Sequence, residues 1–597
     1  MEYSKEQLEK FKKLGVGSFS ELALITPNGY EDLRLGSKLI PHMPQIIDAT
    51  IESIYRAPKS IQITFYAHNF SHAIQGVIFA PKPYMLHQFH IGQRNYFYGV
   101  IECKMGHCTI AMPKKVSAIG EITPKYKSTL RSDVMLRFMR ANLTIENLVC
   151  EGIPEDIAKK AVDIHMPNEE MLEQKSLSEE SLEALKYIEL HSYMREMRKK
   201  RRYFDSMLKE AANIDAWIDS LPFRLSEDQQ KAIEDIRGDI RSSYAARRMI
   251  VGDVGSGKTM VILAAAMMAL PSRSILMAPT TILANQLFEE ASKYISHAKI
   301  ALVTNKSKKE DLSGYDFIIG THALLYRELP EAAVVMVDEQ HRFGTSQRNM
   351  LEKLVASGST KPHYFQFSAT PIPRTQAMIE SAHIDVSLIT TTPFQKDITS
   401  KVIQKQNFKE LLEHIKSEIA LGNQVLLVYP LVEQSEMMEY QSIEEARGYW
   451  EKNFDGVYVT HGRDKEKEDV LLEFREKGKI LIATTVVEVG ISLPRLSTVV
   501  IVGAERLGLS TLHQLRGRVS RTGLKGYCFC YTNQKESKRL ESFCDTKSGF
   551  AIAELDLQFR KSGDLLKGLA QSGKEFKFVD MANDKEIITR VKRDLGI

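Results

Sequence analysis

RMIVGDVGSGKTMVILAAAMMAL, residues 248–270, decides the fold. Four residues of strand character run into GDVGSGKT (252–259), and an apolar helical pattern follows. The stretch fits G-x-x-x-x-G-K-[ST] at every fixed position. Gly252, Gly255 and Gly257 let the backbone wrap a phosphate, with Asp253 and Ser256 in the same loop. Backbone N–H groups and the helix N-terminus attract anions, Lys258 reaches the terminal phosphates, and Thr259 is placed to ligate Mg²⁺. Such a loop between a strand and a helix predicts a nucleotide-binding α/β lobe.

VVMVDEQHRFG (334–344) completes the chemistry. Four apolar residues end in Asp338 and Glu339. Alone, an Asp-Glu pair at a strand end reads as a solvated loop start. Eighty residues after a P-loop lysine, Asp338 reads as the carboxylate that holds the metal, and Glu339 as the group that orients the attacking water.

The surrounding chain gives the architecture. Its 597 residues and 43% hydrophobic content allow three to five domains. Lys and Arg total 80 against 76 Asp and Glu, so net charge names no partner. The start, MEYSKEQLEKFKK, lacks a signal-peptide core, and MVILAAAMMAL (260–270) is too short to span a bilayer. Six scattered cysteines show no paired metal spacing and read as reduced; Cys528 and Cys530 alternate in GYCFCY, as on a half-buried strand.

Residues 1–38 read as a helical segment, turning at Pro27-Asn28-Gly29. Short β-rich runs at 39–120 predict a small antiparallel barrel or sandwich. Residues 121–220 read as a helical linker ending in the basic stretch MREMRKKRRYF (194–204). That run is either a solvated helix face or a phosphate-contacting strut. Strands and helices alternate over 221–392 and again over 393–545, which predicts two α/β lobes with parallel sheets. Residues 546–597 form a C-terminal segment.

Further motifs fall at strand ends. Gln229 in FRLSEDQQ precedes the P-loop strand and is placed to read an adenine edge. Thr280 and Thr321 each follow an apolar strand. Taken alone each is a helix N-cap; in this setting their hydroxyls can hold backbone phosphates. In the second lobe, Arg518 and Arg521 of HQLRGRVSRTG are three apart, which predicts a shared helical face. Arginines there can cross a cleft between lobes and stabilise charge on a γ-phosphoryl group. Phe79 and Tyr84 flank two prolines in FAPKPY, a stiffened loop that either holds aromatics outward or packs them in a core.

In order, these motifs resemble those of superfamily 2 helicases. More narrowly, DEQHRFG, SATPIPRT and AERLGLSTLHQLRGRVSR resemble the RecG family of branched-DNA translocases. PNGYEDLRL (27–35) is similar to that family's lead into its wedge, FAPKPY to the wedge's aromatic loop, and GFAIAELDLQFRKSGDLL (549–566) to its translocation hairpin.

The resemblance implies a multidomain chain: an OB-fold-like wedge with a helical linker, two RecA-like lobes, and a C-terminal helical hairpin. It implies an ATP- and Mg²⁺-dependent DNA helicase that regresses forks, migrates Holliday junctions and unwinds D-loops and R-loops. It assigns Gln340 and His341 to the catalytic set with Lys258, Asp338, Glu339, Arg518 and Arg521. It adds Gly490 to the nucleotide site, and Arg560 and Gln571 to the DNA contacts. The family's Arg-Gly-Pro-Gly reads Arg560-Lys-Ser-Gly here, and its Thr-Arg-Gln reads Leu569-Ala570-Gln571. The implied setting is a monomer in the bacterial cytoplasm, nucleoid-associated, with single-stranded DNA-binding protein as a partner and no membrane. The alternatives weighed are a transcription-repair coupling factor, which is longer, an RNA helicase, and a non-catalytic ATP switch.

Overall fold

The computed structural model describes the chain apart from residues 1–2, 58, 83–88, 118, 174–176, 356–358, 394–395, 432–439, 463, 465, 485–491, 521–522 and 562–575. It divides into one unit of Met1–Tyr193 with Glu575–Asp580 and a second of Met194–Lys574 with Met581–Ile597.

The first unit carries the barrel. Strand Pro44–Ala57 pairs with Ser60–Ala67 on one side and Arg94–Lys104 on the other. The ring closes through His72–Phe79 and His107–Ala111, which run parallel to each other. This five-stranded closed barrel of OB-fold type leaves no free edge within the ring. The 14-residue first strand serves two neighbours because its register shifts between Ile51 and Ser53, a bulge that bends it. Ile47, Ile51, Ile63, Phe65, Phe97 and Ile110 fill the interior.

Cys103 and Cys108 sit opposite each other on the barrel hairpin and are joined by a disulfide, where the scattered spacing had suggested free thiols. The pairing follows from strand register rather than from any cysteine motif. Residues Gly29–Asp32 form a strand with Ile122–Lys125 instead of continuing the N-terminal helices. Among the described residues, four helices of six or more residues lie within Ser132–Lys199. The carboxylate of Glu189, on the last of them, accepts from the backbone N–H groups of Lys577, Phe578 and Val579.

The second unit holds both α/β lobes. Lobe 1 is a seven-stranded sheet in the order Ile300–Val303, Phe317–Gly320, Ser274–Met277, Val334–Asp338, His363–Ser368, Arg247–Gly252, Asp385–Ile389. Every pairing in it is parallel. Helix Lys258–Ala269 is buried from Met260 to Ala269, which an apolar helix with an alanine run suits.

Lobe 2 is a six-stranded parallel sheet running Ile398–Ile403, Gly526–Tyr531, Leu496–Val502, Gln424–Val428, Ile480–Ala483, Val457–Thr460. Cys528 and Cys530 are buried on one face of their strand, as the alternation predicted. Among the described residues, no helix is long and apolar enough to cross a membrane.

Candidate nucleotide and DNA sites

Parallel strands deliver their C-terminal ends to one edge of lobe 1, and the P-loop and Asp338 meet there. Strand Arg247–Gly252 runs into the loop, whose Gly257 has φ +74°, a left-handed conformation that disfavours other side chains. Lys258 Nζ donates to the carbonyls of Gly252 at 2.9 Å and Asp253 at 3.1 Å. Burial lowers the lysine pKa, opposed by the charges of Glu339, Asp338 and Asp253. Asp338 ends a strand buried throughout. Burial, and then the neighbouring charge of Glu339, pushes its carboxyl up to about 7, against the pull of Lys258.

Glu339 adopts φ 49°, ψ 51°, uncommon for a residue with a side chain. Both its carboxylate oxygens accept from Ala369 N at 3.2 Å. The second apolar-acidic motif is thereby fastened to SATPIPRT. Gln340 Nε2 faces Met249 Sδ at 3.6 Å.

Gln229 is 2% exposed and is turned onto the P-loop. Its Nε2 donates to Ser256 O at 2.8 Å, and its Oε1 accepts from Ser226 N. In this arrangement its amide supports the loop from behind. Thr280 caps helix Thr281–Tyr294 by accepting from Leu283 N, and the buried Thr321 accepts from Ala323 N. Both threonines have the capping geometry.

Arg518 does not lie on a helix, although its spacing to Arg521 predicts one. The helix Leu509–Arg516 ends two residues before it. Just past its end the two lobes approach closely: a β-carbon on Gly517 would lie 2.6 Å from Val254 of the P-loop, so only glycine fits there. Arg518 is buried. Arg521, Gly490, Tyr84, Gln571 and the side chains of His341 and Arg560 lie outside the described residues. Phe79 is 59% exposed on the barrel, not in its core.

Two residues the motif reading passed over, His513 and Gln514, make the connection between lobes, and a third, Arg516, braces His513. His513 Nε2 meets Asp253 Oδ1 at 2.5 Å. Gln514 Nε2 donates to Thr370 Oγ1 at 2.6 Å. Arg516 donates to His513 Nδ1 at 3.0 Å and to the carbonyls of Phe543 and Lys547, with its guanidinium over the Phe543 ring. The other oxygen of Asp253 accepts from Gly549 N at 2.7 Å, at the start of helix Gly549–Lys561. Burial opposes ionisation of Asp253, but the hydrogen bond from His513 and the backbone N–H groups of Gly549 and Val254 hold its pKa below the ordinary value. The signal that could have marked these residues is the set of long polar side chains that interleave the leucines of LSTLHQLR. A cavity of about 310 Å³ opens beside this junction, lined by Lys396, Arg516 and Lys547 among others.

A P-loop, an acidic strand end and a second parallel lobe pinned against them constitute a two-lobe helicase motor. A DEAD/DEAH box helicase model matches residues 226–379, and a helicase conserved C-terminal domain model matches 406–523. Across the chain, the ATP-dependent DNA helicase RecG of Helicobacter pylori strain J99 is 44% identical over 602 residues, covering 98% of this chain and 96% of that protein. RecG of Streptococcus pneumoniae serotype 4 is 30% identical, covering 98% of this chain and 93% of its own. The chain belongs to the RecG family of ATP-dependent DNA helicases. A solved structure of RecG bound to a three-way DNA junction matches with a TM-score of 0.56 and 26% identity, over 98% of this chain and 84% of that one.

Proposed function

We propose that this protein is an ATP-driven translocase that remodels branched DNA, with Mg²⁺-ATP held by the P-loop and the barrel acting as a wedge at the branch. The observation that carries the reading is the double fastening of lobe 2 to the nucleotide loop. Asp253 is tied to His513, and the Glu339–Ala369 contact continues through the adjacent Thr370 to Gln514.

Lys258 now spends its donors on two loop carbonyls; a phosphate oxygen would offer it a charged acceptor instead. Thr259 and Asp338 would hold Mg²⁺. They fit it: both offer oxygen, and Asp338 is a buried carboxylate whose ionisation a dication favours. Magnesium usually takes only one or two protein ligands plus substrate phosphates. When bound, the ion offsets charge on the phosphate oxygens. Glu339, fixed by the Ala369 N–H, orients the attacking water. Arg518, with Arg521, stabilises charge developing on the γ-phosphoryl group. Because His513 and Gln514 grip the same loops, rearrangement at the phosphates is transmitted to lobe 2. Alternation of the two lobes then draws duplex arms past the barrel, whose exposed Phe79 supports a strand-parting role.

The test compares ATPase rates on a forked DNA, a Holliday junction, a linear duplex and single-stranded RNA. Branched DNA should stimulate most. Equal stimulation by RNA would overturn the reading. Glu339→Gln should retain ATP and fork binding while turning over at least about a hundred-fold more slowly.

A further inference from the structure

The basic run at 194–204 lies apart from the P-loop, Asp338 and Glu339. Helix Glu179–Lys199 ends within it, and the following residues are stitched onto lobe 1. Asp205 bridges to Tyr244 and Ser206 to Lys361. Ala245 N donates to Phe204 O at 2.8 Å, and Lys361 N to Asp205 O at 2.8 Å. The segment is therefore a fixed border, not a loose charged tail.

It borders a cavity of about 370 Å³ at the N-terminal ends of the lobe 1 strands, the sheet edge opposite the P-loop. Lys200, Arg202, Lys353 and Lys361 line it, and among the described residues none has a carboxylate partner. The two acids in the lining are already engaged: Asp385 pairs with Arg201 at 2.5 Å, and Asp239 with Arg248 at 2.5 Å. Exposed aromatic faces accompany the charge. Tyr203 is 61% exposed and Tyr244 50%, and they meet edge to face with centroids 5.5 Å apart. Lys361 lies 5.9 Å from the centroid of the Phe204 ring.

From this combination we infer that the cavity is a binding site for single-stranded DNA, separate from the ATP cleft. Cations without carboxylate partners follow a phosphate backbone, and exposed rings stack on bases. A duplex hides its base faces within the stack, so the tyrosines select an unpaired strand. An acidic peptide would need free backbone donors and acceptors to add as a strand, and those of Phe204, Asp205, Ala245 and Lys361 named above are spent on one another. Burial lowers the pKa of His383, and the charges of Arg247, Lys200 and Arg201 add to it against the bond to the Met197 backbone.

The test uses the full chain and an oligo-dT carrying 5-iodouracil. Photocrosslinking followed by peptide mapping should place adducts on Tyr203 or Tyr244. Tyr203→Ala with Tyr244→Ala should weaken oligo-dT binding about ten-fold by fluorescence anisotropy. Lys200→Glu with Arg202→Glu should weaken it similarly and flatten its salt dependence. Both variants should keep DNA-free ATPase activity, which reports a folded motor and an intact nucleotide site. Adducts confined to other segments would overturn the inference. So would wild-type oligo-dT affinity in the tyrosine variant, since charge alone would then explain any effect of the glutamates.

Discussion

His513 Nε2 and Asp253 Oδ1 stand 2.5 Å apart across the two lobes, though 260 residues separate them in the chain. Arg516 has no acceptor, so its contact with His513 Nδ1 assigns the ring proton to Nε2, which donates to Asp253. Replacing His513 with Ala leaves a buried carboxylate served by two backbone N–H groups only. Losing one partner of a buried pair costs about 1–3 kcal/mol. His513→Ala should lower fork-stimulated ATPase about ten-fold while DNA-free ATP binding changes less. Wild-type turnover at saturating fork DNA would show that the bond does not couple the lobes.

Lys258→Ala should abolish hydrolysis, by about a hundred-fold or more, because the charge facing the transferred group is lost. The fold should persist, since the surrounding helix is held by apolar burial. Circular dichroism and a melting curve check the fold, and a phosphate-release assay checks the rate. An active, folded variant would place the nucleotide elsewhere.

Phe79 stands out of the barrel, so its removal should cost little stability, about 0.5 kcal/mol or less. If it stacks on a base at a branch, Phe79→Ala should weaken junction binding by about 1–3 kcal/mol. Unwinding of a three-strand junction should slow, while ATPase at saturating DNA is kept. A stable variant that binds and unwinds normally would remove Phe79 from the strand-parting role.

His165 supplies a pH-dependent stability in the first unit. It is buried, with Nε2 on Ala23 O at 3.1 Å and Nδ1 on the Tyr126 hydroxyl at 2.9 Å. Burial pushes its pKa down to about 4, only partly opposed by the Ala23 carbonyl. The unfolded chain, with a value near 6.5, binds the proton more readily. The contribution is therefore complete above about pH 6.5 and is lost progressively as pH falls toward about 4. At pH 5 the loss is about 2 kcal/mol. His165→Gln keeps a donor and an acceptor but does not titrate. Melting of both proteins at pH 8 and pH 5 should show their difference shrinking at the lower pH; a constant difference would reject the assignment.

The nucleotide loop was legible because its chemistry is local: eight consecutive residues carry the glycines, lysine and threonine. Both sheets were legible from the repeated apolar runs. Asp253 with His513 and Gln514 with Thr370 were not, because each pair depends on how two lobes meet and leaves no periodic trace. The close approach of Gly517 to Val254 was hidden for the same reason, being a tertiary fact. The Cys103–Cys108 link needed the hairpin register, and the exposure of Phe79 needed the barrel's inside and outside to be distinguished.

The hydrogen bond from Gly549 N to Asp253 Oδ2 joins the first residue of helix Gly549–Lys561 to the phosphate loop. A shared atom makes this a thermodynamic linkage. If ATP changes the free energy of that bond, then any load that displaces helix Gly549–Lys561 changes ATP affinity by the same factor. Tension on this helix would thus act as an effector of the nucleotide site, and a stalled motor would differ from a moving one in how tightly it holds its fuel.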